Sequence, residues 1–152
     1  MADIKIRAVI SISNGGKHMT VVCVDDHPIM LKGLSNNVRQ LLPNAMIGSF
    51  ANAKEAVAFA KEKGCDVLIS EIELAGVDGL TLAQQIKQIN SRVNIIFLTV
   101  CDEKEHAKAV MQIKPSGYLV KPTKPEENLI IIIFFFLVTS NGLWDSNSLT
   151  RD

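Results

Sequence analysis

The sequence has no net charge: sixteen Lys and Arg balance sixteen Asp and Glu over 152 residues. That excludes a nucleic-acid surface spread over the whole fold and leaves room only for a local patch. It also lacks any cysteine pattern suited to a metal. Cys23, Cys65 and Cys101 show no CxxC spacing and fall in or beside predicted strands. They read as reduced, packed thiols of a cytosolic protein, with a redox role for Cys101 as the lesser alternative. The main apolar block, residues 129–138, is ten residues long. Crossing a bilayer takes about 20, so no membrane span is expected. At the N-terminus Ile4, Ile6, Ala8, Ile10 and Ile12 alternate with other residues instead of forming the apolar core of a signal peptide. Internal repeats and interdomain linkers are absent as well.

What is present is a core-forming composition, 47% hydrophobic, in a length that suits one domain. Asn14-Gly15-Gly16 is a turn signal that separates residues 1–18, read as an N-terminal extension, from a domain opening at Met19. From there, apolar runs and helical spacings take turns. Strands are expected at 19–24, 45–50, 66–71, 93–99 and 116–120. Helices are expected from Pro28 towards Pro43, from an Asn52/Glu55 cap to Gly64, over 80–89, and from an Asp102/Glu105 cap to Pro115. This alternation implies an α/β fold, a doubly wound parallel sheet with helices on both faces.

In such sheets functional residues gather at the carboxyl ends of the strands. Asp25 and Asp26 follow the first strand, Glu71 ends the third, Thr99 ends the fourth and Lys121 follows the fifth. Three carboxylates against one ammonium leave the rim negative, which a divalent cation would offset. Mg2+ is the natural candidate for oxygen ligands. A cation, a lysine and a hydroxyl are also what a phosphoryl group needs around it. The missing part is an aspartate nucleophile that could form an acyl phosphate.

VVCVDDHPIMLKGL, DVLISEIELAGVDGL, IIFLT and GYLVKP resemble the motifs of response-regulator receiver domains over about residues 19–126. The LKGL after DDHP is closest to receivers that usually carry a LuxR-type DNA-binding domain. The resemblance implies a flavodoxin-like five-stranded sheet in the order 2-1-3-4-5. It assigns Asp25 and Asp26 to the acidic metal pair, with Asp26 favoured as the direct ligand. Thr99 becomes the hydroxyl that senses the phosphoryl group, Lys121 the invariant lysine, and Tyr118 the aromatic switch residue. Glu73 would lend its backbone carbonyl to the metal, and Pro122 is the proline after the lysine. A sensor histidine kinase is the implied partner, in the cytoplasm.

Three departures stand out. Glu71 occupies the phosphoacceptor position, one methylene longer than aspartate, where a misplacement of an ångström can cost about 100-fold in rate. It could reach Lys121 and Thr99 directly, imitating part of the phosphorylated state, or simply pair with Lys121 as a structural salt bridge. Ala75 replaces a usual turn proline and removes a fixed φ. Residues 129–138, LIIIIFFFLV, replace an amphipathic last helix and precede a polar tail, 139–152. As a helix this segment would need a partner surface, a second copy or another protein. A frameshift is the other account of it.

The favoured reading is a receiver-like module of two-component signalling, non-phosphorylatable or phosphomimetic, that is not an enzyme and binds no nucleic acid itself. Its Mg2+ binding should be weak, through Asp25, Asp26 and Glu71. The alternative is a phosphorylatable receiver of a transcriptional regulator cut before its DNA-binding domain. A Mg2+-dependent phosphohydrolase ranks last, because neither a second general acid–base group nor a phosphate-cradling glycine loop is present. His27 is expected to cap the first helix, and His18 and His106 have no evident partners.

Overall fold

The computed structural model describes residues 19–99 and 104–120. Five strands form one parallel sheet: β1 Thr20–Val24, β2 Met46–Phe50, β3 Val67–Ser70, β4 Asn94–Thr99 and β5 Gly117–Val120. Their order is β2-β1-β3-β4-β5, as expected from the sequence. Four helices connect them: α1 Pro28–Leu41, α2 Ala53–Lys63, α3 Gly79–Ile89 and α4 Lys104–Ile113.

The central strands are buried on both faces, and the two-residue strand period divides their side chains between two cores. Val22, Val24, Leu68, Ile95 and Phe97 face one way, onto Ala53, Ala56 and Ala60 of α2 and Leu82, Ala83 and Ile86 of α3. Val21, Cys23, Val67, Ile69, Ile96 and Leu98 face the other way, onto Val38, Leu31 and Leu34 of α1. Phe97, Leu68, Leu82 and Ile86 are among the largest side chains fully shut off from solvent.

The element ends follow local chemistry. Pro28 opens α1, where its missing N–H is no loss. The Asn52 side chain accepts the Glu55 amide at 2.9 Å and caps α2. Gly64 closes α2 at φ 85°, a conformation that costs glycine little. Asp78 caps α3 by accepting the Thr81 amide at 2.8 Å. Helices α1 and α4 each stop two residues short of a proline, Pro43 and Pro115, because the residue before a proline is pushed out of helical geometry.

His27 departs from its expected role. It stands at the N-cap position of α1, but its side chain makes no capping hydrogen bond. Residues 1–18, the Asp102 cap, Cys101, Lys121, Pro122, the apolar block 129–138 and the tail 139–152 lie outside the described residues.

Candidate functional site

The register sets out the carboxyl edge of the sheet. Val24 pairs with Ser70, Ser70 with Phe97, and Thr99 with Val120. Asp25, Glu71 and Thr99 therefore emerge on one rim. All three are buried, at 3%, 1% and 1% exposure, which is unusual for the two carboxylates and requires polar surroundings. Backbone bonds carry the ladder one step further: the Glu71 amide donates to the Val24 carbonyl at 3.0 Å, and the Asp25 amide to the Phe50 carbonyl at 3.2 Å.

Asp25 and Asp26 converge with the residue after them. Asp25 Oδ1 accepts the His27 backbone amide at 2.9 Å and lies 3.0 Å from His27 Nδ1. His27 Nδ1 is also 3.2 Å from Asp26 Oδ1. The sequence offered the histidine only as a cap; in the fold its ring faces both acids. One ligand atom from each of the three residues falls within 4.8 Å of the others. Asp26 Oδ1 is shielded from solvent and accepts no hydrogen bond from a described residue, since its contact with His27 is close but poorly aligned. Two carboxylates converging in this way, one with an oxygen available, fit a hard divalent cation such as Mg2+. The other Asp26 oxygen, Oδ2, accepts the amide of Ala75 at 3.1 Å, a bond across 49 residues.

Glu71 is turned into its own loop. Its Oε1 accepts the amides of Ile72 at 2.8 Å and Glu73 at 3.3 Å. Ser70 Oγ donates to the Glu71 carbonyl at 2.8 Å. The first turn of α3 presses on the same backbone: the Gly79 amide donates to the Ile72 carbonyl at 2.8 Å. A Cβ on Gly79 would lie 2.1 Å from the Glu71 carbonyl oxygen, so this approach requires glycine. Glu73 itself is exposed, and its amide is already committed to Glu71. Tyr118 pairs with Phe97 in the ladder and packs, partly buried, against the core on the α2–α3 face.

The two described cysteines take no part. Burial pushes the Cys23 and Cys65 thiols up to about 12, so both stay protonated and inert. Among the described residues no helix is long and apolar enough to cross a membrane.

Comparison with known proteins agrees with this geometry. The family model for the response regulator receiver domain matches residues 21–133. Response regulator UvrY of Escherichia coli (strain K12) is 28% identical over 109 residues, covering 72% of this chain and 50% of the relative. Nitrate/nitrite response regulator protein NarP of the same strain is 30% identical over 110 residues, covering 70% of this chain and 49% of the relative. The chain thus spans about half the length of these relatives. A CheY-like response regulator receiver domain protein from Methanospirillum hungatei JF-1 superposes with a TM-score of 0.72 at 17% identity, covering 84% of this chain and 100% of that one. A LuxR-family two-component response regulator from Aurantimonas sp. SI85-9A1 superposes at 0.68 with 25% identity, covering 81% and 87%. A match over most of the chain, on a sheet of the same order, identifies the protein as a member of the response regulator receiver domain family.

Proposed function

We propose that this receiver signals without phosphorylation at residue 71, its state set by the Glu71 carboxylate. The observation that carries the reading is the pair of bonds from the Ile72 and Glu73 amides to Glu71 Oε1, in a side chain that is almost wholly buried. A nucleophile must hold a lone pair towards an incoming phosphoryl group. Here one carboxylate oxygen is occupied by the loop's own donors. The fixed negative charge takes over part of what a phosphoryl group would do. The imitation is partial, because a carboxylate carries one charge and an aspartyl phosphate nearly two.

In this reading Thr99 and Lys121 respond to the Glu71 charge, and Tyr118 adjusts its packing with them. Mg2+ binds weakly through Asp25 and Asp26, with the Glu71 carboxylate and the Glu73 carbonyl as further oxygen donors. When bound, the cation supplies positive charge opposite phosphoryl or carboxylate oxygens. Response regulator receivers work with sensor histidine kinases. For this chain such a kinase is a cytoplasmic docking partner rather than a phosphoryl donor. The apolar segment 129–138 would contact a second copy or a partner protein, and this chain makes no contact with nucleic acid. The domain is a signalling module, without turnover of its own.

The test is Glu71→Gln, which keeps the shape and removes the charge. The amides of Ile72, Glu73, Thr99 and Tyr118 should shift together in an NMR spectrum, reporting a changed resting state. Shifts confined to Ile72 and Glu73 would mean the charge sets only its own loop. The second reading is a phosphorylatable receiver of a transcriptional regulator. The likeness to the response regulators UvrY and NarP is equally consistent with it. The two readings part on one point: whether the wild-type chain takes up a phosphoryl group.

A further inference from the structure

The amide of Ala75 is bonded to the carboxylate proposed above to hold a cation. Its N–H donates to Asp26 Oδ2, while Asp26 Oδ1 faces Asp25 and His27. The two oxygens of one carboxylate share one charge. A cation on Oδ1 draws that charge away from Oδ2, and the amide hydrogen on Oδ2 draws it away from Oδ1. The cation presents a full positive charge and the amide hydrogen a partial one, so each weakens the other, and by linkage the effect is equal in both directions. A proline at position 75 would have no N–H to donate, so alanine makes the bond possible.

The loop that carries this bond also carries Glu71. Residues 71–78 run from the end of β3 to the Asp78 cap of α3. Their start is fixed by the Glu71 Oε1 bonds and by the approach of Gly79 to the Glu71 carbonyl. Their middle is exposed, turns through Gly76 at φ 84°, and is tied across to β1's end by Ala75. We infer that the Ala75 amide is a built-in competitor for the Asp26 carboxylate, so that cation binding releases the middle of the Glu71 loop. The inference rests on the Mg2+ reading above.

The experiment is an NMR-monitored MgCl2 titration of the full chain, wild type beside Ala75→Pro and Ala75→Ser. Serine retains the N–H. In wild type the Ala75 amide proton should move upfield as the Asp26 resonances respond to Mg2+, reporting a weakened hydrogen bond. Ala75→Pro should bind Mg2+ about fivefold more tightly, the low end for such couplings because the bond is exposed. Ala75→Ser should stay within about twofold of wild type on the same scale. Equal or weaker binding by the proline variant, or a downfield move of the Ala75 proton, overturns the competition while the Asp26 response upholds the cation site. No response at Asp26 in either protein removes the cation site and the competition with it. If the proline variant does not fold, the wild-type Ala75 proton decides the matter alone.

Discussion

Adding a single methyl group at Gly79 should unsettle both the fold and the site. An ideal Cβ there would lie 2.1 Å from the Glu71 carbonyl oxygen, 2.9 Å from Ile72 Cα and 3.0 Å from the Glu71 carbonyl carbon. All three obstacles are backbone, so no rotamer change relieves the clash. The start of α3 must retreat by about 0.9 Å to bring the shortest of these contacts to 3.0 Å. That retreat stretches the bond from the Gly79 amide to the Ile72 carbonyl and disturbs the Asp78 cap. Overpacking of this kind costs about 1–3 kcal/mol. A weakened backbone hydrogen bond adds up to about 1 kcal/mol. Alanine's better helix propensity offsets less than about 1 kcal/mol at the first residue of a helix. The expected loss for Gly79→Ala is therefore about 2–3 kcal/mol, read as a lower urea midpoint at unchanged slope. Gly33 is the internal control. It is exposed within α1 and nothing lies within 4 Å of its missing Cβ, so Gly33→Ala should stabilise by about 0.5–1 kcal/mol. A Gly79→Ala midpoint within about 0.5 kcal/mol of wild type would refute the close approach of α3 to the Glu71 backbone.

Two further expectations concern the scaffold. Cys23 and Cys65 should resist alkylation in the native protein at pH 8, where a thiol near 12 is ionised in roughly one molecule in ten thousand; peptide mapping that found either one labelled before unfolding would contradict their burial. The raised values keep the thiols neutral, and the protection should be lost once the chain unfolds. Asn52→Ala should cost about 1 kcal/mol by removing the acceptor for the Glu55 amide, whereas Asn52→Asp should keep most of the stability; equal stability of the alanine variant and wild type would count against the cap.

The strands were legible because parallel strands buried on both faces leave continuous apolar runs, as VVCV and VLIS do. The Asn52 cap and the Gly64 stop were legible because both act through local chemistry within one turn. Placing Asp25, Glu71 and Thr99 on one edge followed from the topology alone. The finer parts of the site depend on contacts between distant segments. Asp26 meets a backbone amide at Ala75, and a backbone donor leaves no mark on residue type. His27 sits where a capping residue belongs, so its turn towards the two acids could not be read from its position. How the Glu71 side chain is held was not legible either: Oε1 takes two amides next to it in sequence, a choice made by the loop's path. Gly79 precedes the helix expected over 80–89, and only the packing of α3 on Glu71 shows why the position needs glycine.

The most direct measurement is intact mass spectrometry at neutral pH after brief exposure to acetyl phosphate and Mg2+, for wild type and Glu71→Asp together. The account predicts no added phosphoryl mass on wild type. It predicts partial labelling of Glu71→Asp, because shortening the side chain by one methylene restores the reach of a nucleophile. Labelling of the wild-type chain to the level of the variant, mapped to Glu71, would show a working phosphoacceptor and contradict the account.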